Sequence, residues 1–181
     1  MADTVKEVAK LLGFGPLGAL ALGEGPDARF DLERDQDGRS LIQIVPFVDR
    51  ELIERLGQYP DELKHIDRRR FEEVVAEIFF GFGYEVELTK RTRDGGKDIV
   101  AIKRCEVNLK FLIECKRPDP NNPVRVAAVR ELWGVRADEG ATKGILVTTT
   151  GFTADARQFV ERHMWELEAR DFDGLQAWIS D

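Results

Sequence analysis

At 181 residues the chain has room for one ordinary domain with an appendage, and it can bury a core without disulfide staples. Its 43% hydrophobic and 34% charged content is that of a soluble globular protein, and its two cysteines, Cys105 and Cys115, exclude a disulfide framework or a zinc-type ligand cluster. The net charge of −7 argues against a nucleic-acid partner only until it is divided along the chain, because residues 90–117 carry nine cations against four anions.

The first sixty residues read less clearly than the rest. Residues 1–5 carry Asp3 and no cation, so the start of a secretory signal is not expected. The apolar stretch 11–22 is broken by Gly13, Gly15, Pro16 and Gly18, too short and interrupted to span a bilayer, and the expected location is the cytoplasm with both thiols reduced. Residues 40–48 (SLIQIVPFV) predict an edge strand with Pro46 near its end, Asp49 an N-cap for a helix over 50–57, and Pro60 a break. Residues 1–62 are read as an accessory region and 63–181 as the main domain.

From Asp67 the periodicity sharpens. Asp67 caps a helix whose apolar positions Phe71, Val74, Val75, Ile78 and Phe79 run until Gly81 and Gly83 stop it. Residues 84–89 alternate as a strand, Asp94-Gly95-Gly96 is a turn, and 98–102 opens a second strand. A third strand covers 109–116, a helix 124–137, and the apolar run 144–148 reads as a strand buried on both faces. A helix over 153–164, a short strand over 166–170 and a helix over 172–179 complete the chain. The order α-β-β-β-α-β-α-β-α predicts an α/β fold, a mixed central sheet flanked by helices on both sides.

The residues that carry chemistry are Asp98, at the start of one strand, and Glu114-Cys115-Lys116, at the end of the next. Alternation puts Glu114 and Lys116 on one face and Cys115 on the other, and pairing of the two strands brings Asp98 across from Glu114. A lone Glu-x-Lys is ordinarily a surface ion pair and a lone Asp after Gly-Gly a turn residue. Here they sit at the tips of the apolar runs Ile99-Val100-Ala101-Ile102 and Phe111-Leu112-Ile113, where charge is costly unless paired or metal-bound. Two carboxylates with a backbone carbonyl and waters form a hard oxygen site suited to Mg²⁺, with a lysine to stabilise charge on a scissile phosphate.

Several landmarks in order resemble the Mrr-type restriction endonuclease catalytic domain of the PD-(D/E)xK nuclease superfamily. They are Arg70-Phe71-Glu72, Gly83-Tyr84-Glu85-Val86, the run from Thr89-Lys90-Arg91 through Gly95-Gly96-Lys97-Asp98, Ile113-Glu114-Cys115-Lys116-Arg117, Val129-Arg130-Glu131-Leu132-Trp133-Gly134 and Gly144-Ile145-Leu146-Val147-Thr148-Thr149. The resemblance covers about two thirds of the chain. It implies a restriction-endonuclease-like α-β-β-β-α-β core that cleaves DNA with Mg²⁺, for which Mn²⁺ would substitute. Asp98, Glu114 and the backbone carbonyl of Cys115 would be metal ligands, Lys116 the catalytic lysine, and Glu72 the supporting acid of the first helix. Many members have Gln where this chain has Glu114, and Glu is the ligand of the wider superfamily.

Other residues keep plainer readings. Glu73 and Glu77 are expected to face solvent, and Trp133, Trp165 and Trp178 to pack in the core. His65 and His163 are given no general-base role, and Arg130 is read as a helix-surface arginine. Thr148-Thr149-Thr150-Gly151 is read as a polar strand exit near the same sheet end, with lining of a DNA channel the less favoured alternative. The leading functional reading is a metal-dependent endonuclease on double-stranded DNA in restriction or defence, with no membrane association. A structure-selective repair or recombination nuclease, and a non-catalytic DNA-binding or interaction subunit, stand as alternatives. A double-strand cut by one site per chain also calls for a homodimer, whose contacts are expected within residues 40–60.

Overall fold

The computed structural model describes residues 48, 50–89, 95–104, 108–117 and 122–180. The predicted strand over 40–48 and the Asp49 cap therefore lie outside the described residues, apart from Val48, which is buried in the core. Helix α1 spans Arg50–Gln58. At the expected break, Pro60–Lys64 forms a short 3-10 helix with the proline in its first turn, where a missing N–H breaks no bond.

Helix α2 spans Arg68–Gly81, and the Asp67 carboxylate accepts the Arg70 amide at 3.0 Å. Gly83, at φ +78, turns the chain out of the helix. Strand β1 (Glu85–Leu88), strand β2 (Ile99–Lys103) and strand β3 (Leu109–Lys116) follow. Helix α3 (Val126–Asp138), strand β4 (Lys143–Thr148), helix α4 (Ala154–Arg162), strand β5 (Leu167–Arg170) and helix α5 (Phe172–Ser180) complete the order read from the sequence. No helix among the described residues is long and apolar enough to cross a membrane.

The five strands form one sheet in sequential order, with β1, β2 and β3 antiparallel and β3, β4 and β5 parallel. The sheet is mixed because hairpin-type links join its first half, whereas helices α3 and α4 carry the chain back between parallel strands. Strand alternation divides the apolar side chains between two cores. Ile99, Ile113, Cys115, Ile145 and Val147 pack with Phe71, Val75 and Phe79 of α2 and with Leu175 and Ile179 of α5, and Leu56 and Leu63 join the same core. Leu112 and Leu146 face the other way, against Val129 and Leu132 of α3 and Phe159 of α4. Gly144 allows α3 to lie close on β4, since a Cβ there would meet Leu132 at 3.0 Å and Leu167 at 3.1 Å.

Two expectations need correction. Trp133 and Trp178 do pack against the cores, but Trp165 is 83% exposed. It lies in a tight turn whose amides at Glu166 and Leu167 both bond to the His163 carbonyl, which directs His163 and Leu167 inward and Met164 and Trp165 outward. Glu73 and Glu77 are half-buried rather than solvent-facing, and Glu73 pairs with Arg70 at 3.1 Å. Arg130 is exposed, as expected of a helix-surface arginine.

The Asp67 cap fixes the first turn of α2, so its loss has a calculable effect. Asp67→Ala is expected to lower stability by about 1 kcal/mol, with Asp67→Ser restoring most of it, measured by urea unfolding.

Candidate active site

The register of β2 on β3 pairs Ile99 with Ile113. One step further along the same ladder Asp98 falls opposite Glu114, and the Asp98 amide donates to the Ile113 carbonyl at 2.9 Å. The Asp98 carbonyl is held from the other side by the Thr89 amide at 2.8 Å, and the Thr89 hydroxyl donates to the carbonyls of Lys97 and Asp98. Gly95 and Gly96, at φ +60 and +80, make the predicted turn into this position. Asp98 is thereby fixed between two strands, and its Oδ2 accepts the Cys115 amide at 2.7 Å.

The three predicted acids gather at this sheet end, all nearly inaccessible: Glu72 is 3% exposed, Asp98 3% and Glu114 6%. Glu114 bonds to the Lys116 ammonium through Oε1, while its buried Oε2 has no hydrogen-bond partner among the described residues. Burial raises the Glu114 carboxyl above its ordinary range; the Lys116 hydrogen bond opposes this, and the neighbouring Asp98 charge adds to it. Cys115 points to the opposite face, as alternation requires. Burial, reinforced by Asp98, Glu72 and Glu114, pushes its thiol far up and makes it no nucleophile.

Glu72 differs from the other two. Its Oε1 accepts Arg68 Nε at 2.9 Å and its Oε2 accepts Arg69 at 3.1 Å, so both oxygens are engaged by guanidinium groups. Arg69 also donates to the Thr89 carbonyl at 3.2 Å, and Arg68 reaches Asp98 Oδ1 at 3.0 Å. The sequence reading assigned neither arginine a role. The signal was present in the i, i+4 spacing of Arg68 to Glu72 and the i, i+3 spacing of Arg69.

Strand direction divides the basic segment. Lys103 and Arg104 lie at the far end of β2 from Asp98, roughly 15 Å away at strand rise. There Lys103 donates to the Phe82 carbonyl and Arg104 to Glu85. Lys97 and Lys110 both engage Glu139 at the end of α3. Each of these four cations has a protein partner that ties it to the fold. Lys90, Arg91 and Arg93 lie outside the described residues. At the site end remain Arg68, Arg69, Lys116 and Arg117, the last donating to the Lys64 carbonyl at 2.9 Å. At the end of β4 Thr148 and Thr149 are buried, and Thr148 pairs in register with Lys116, whereas Thr150 and Gly151 are half-buried.

Among the described residues no three His, Cys, Asp or Glu side chains form a complete metal-ligand cluster. Asp98 and Glu114 supply two carboxylates, which suits a cation that keeps several waters, and the unpartnered Glu114 Oε2 is a buried oxygen such a cation would satisfy. The residues present fit a divalent ion.

The chain is similar to several known proteins. The Mrr catalytic family model, described as restriction endonuclease, matches residues 63–179. The chain is 27% identical over 142 residues to the type IV methyl-directed restriction enzyme EcoKMrr of Escherichia coli (strain K12), covering 75% of this chain and 41% of that protein. It is 36% identical over 104 residues to the uncharacterized protein y4cE of Sinorhizobium fredii (strain NBRC 101917 / NGR234), covering 56% and 26% respectively. Its fold superposes on the DNA modification-dependent restriction endonuclease AspBHI with a TM-score of 0.54 and 22% identity, over 78% of this chain and 39% of that one. The chain thus spans less than half the length of each of these proteins.

The Glu114 environment makes stability depend on pH. With its carboxyl raised above the ordinary 4.5 in the folded state, the native protein binds more protons than the unfolded chain, so this residue's contribution falls as pH rises from there. Glu114→Gln is expected to be more stable than wild type at pH 8, with the gap closing near pH 4, in urea unfolding across that range.

Proposed function

Because the chain belongs to the restriction endonuclease family of the Mrr catalytic type, we propose that it is a divalent-metal-dependent endonuclease that hydrolyses DNA phosphodiester bonds in restriction or defence. The observation that carries this reading is the convergence of Asp98, Glu114 and Lys116 at one sheet end, with a buried carboxylate oxygen of Glu114 lacking a partner among the described residues. The names of the E. coli relative and of the structural neighbour support DNA as substrate and restriction as role. The matched region covers less than half of those proteins, so the proposal concerns cleavage and not the recognition of methylated or modified bases.

In this reading Asp98, Glu114 and the Cys115 carbonyl hold Mg²⁺, or Mn²⁺ in its place. The bound ion supplies Lewis acidity to the scissile phosphate and makes the attacking water more acidic. Lys116 lies on the same strand face as Glu114, and its ammonium donates to the attacking water or to the phosphoryl oxygens as charge builds on them. Asp98 holds its orientation through the Cys115 amide, so the ligand geometry is set by the strand ladder before substrate arrives. Glu72 acts as a positioning residue through Arg68 and Arg69. The proposed setting is the cytoplasm and the proposed substrate duplex DNA.

Cleavage of supercoiled plasmid tests the assignment. Mg²⁺ or Mn²⁺ is expected to support cutting, and Ca²⁺ to bind without turnover. Asp98→Ala should abolish cutting in a folded protein, and Lys116→Ala should lower the rate about 100-fold or more. Robust cleavage in excess EDTA, or wild-type rate in Lys116→Ala, would overturn the mechanism.

One site severs one strand, so a double-strand cut requires two copies. A homodimer on DNA is the expected state, giving linear product with little nicked circle and a doubled mass by light scattering. Monomers that yield only nicked circles would show a single-strand nicking enzyme instead.

A further inference from the structure

Arg68 stands in a position that general helix electrostatics disfavours. The first turn of α2 contains no acid and begins Arg68-Arg69-Arg70, placing three cations at the positive end of the helix dipole. What offsets this for Arg68 is the acid around it. Its Nε bonds to Glu72 and its terminal nitrogen to Asp98 Oδ1. One guanidinium thus bridges two buried acids, while its own side chain is 57% exposed.

The two Asp98 oxygens differ in how firmly they are held. Oδ2 accepts a backbone amide inside the β2–β3 ladder, which cannot move without breaking the sheet. Among the described residues Oδ1 is held by Arg68 alone. A cation approaching Asp98 therefore meets the Arg68 guanidinium at Oδ1, the oxygen whose partner is a side chain that can move without disturbing the ladder. We infer that Arg68 is a built-in competitor for the divalent-cation site: cation binding displaces its guanidinium from Asp98 Oδ1, and the released guanidinium binds a DNA phosphate beside the scissile one. This deepens the proposed function and rests on it. Competition of this kind couples metal and DNA, because each favours the arrangement in which Arg68 has left Asp98.

Ca²⁺ titration of the full chain by calorimetry, alongside circular dichroism to verify folding, tests the competition. Arg68→Gln is expected to bind Ca²⁺ about five-fold or more tightly than wild type, the low end of ordinary coupling between ligands. Arg69→Gln removes the same charge without touching Asp98, and should shift affinity by about two-fold at most. Arg68→Lys keeps the charge but cannot bridge Glu72 and Asp98, so it should fall between wild type and Arg68→Gln, and it decides the matter if Arg68→Gln does not fold. Equal Ca²⁺ affinity in wild type and the Arg68 variants, or an equal gain in Arg69→Gln, overturns the inference while leaving the metal site standing. Absence of Ca²⁺ binding by every protein overturns the metal-site reading itself. For the phosphate contact, duplex affinity of Arg68→Gln should drop about five-fold or more relative to wild type in Ca²⁺, and about two-fold or less in EDTA. An equal drop in both conditions would show Arg68 to be an ordinary phosphate contact.

Discussion

Three carboxyl groups withdrawn from water at one end of a sheet are the constraint on which the rest of this structure depends. Removing an ion from water has an effective penalty on the order of several kcal/mol, and like charges side by side add to it. The protein answers each group differently. Among the described residues Glu72 is enclosed by two guanidiniums, Asp98 by a backbone amide and Arg68, and Glu114 by Lys116 alone on one oxygen. That graded compensation separates a carboxyl that organises its neighbours from one left able to accept a further cation.

The mixed sheet makes this arrangement rigid. Its antiparallel half brings Asp98 beside Glu114, because an antiparallel link returns β3 so that its last residues lie beside the first of β2. Its parallel half supplies backing: β4 runs alongside β3 to Thr148, and the buried threonines there fill the space behind Lys116 with polar atoms that bond locally. The two cores on opposite faces clamp the same strands. A side chain at the strand tip is thus held by packing on both sides and by hydrogen bonds along the ladder, as a site that must not relax around bound charge requires.

Charge follows the same geometry. A strand carries its two ends to opposite poles of the domain, so residues close in sequence part in space. Lys103, Arg104 and Lys110 are near the site in sequence and remote from it in the fold, where they tie strand ends to Phe82, Glu85 and Glu139. Arg68 and Arg69, thirty residues upstream of Asp98, are the cations that reach the acids. Conflict with the helix dipole in the first turn of α2 is the local cost of placing them there.

The periodicity of apolar residues, the cap at Asp67 and the Gly95-Gly96 turn were enough to place the described α-helices and strands within a residue or two, whereas the 3-10 helix Pro60–Lys64 was legible only as a break. Each of these signals acts over a few neighbours along the chain. Strand alternation likewise put Glu114 and Lys116 together and Cys115 apart, and the family landmarks named the acids. Only the tertiary structure decided what those acids touch. Helix spacing offers Arg68 and Arg69 to Glu72 but does not say that both engage it or that Arg68 also reaches Asp98, and nothing local to Trp165 distinguishes a core aromatic from one turned outward at a tight turn. Burial, long-range ion pairing and the choice of strand end are properties of surfaces brought together by folding, and local sequence pattern does not specify them.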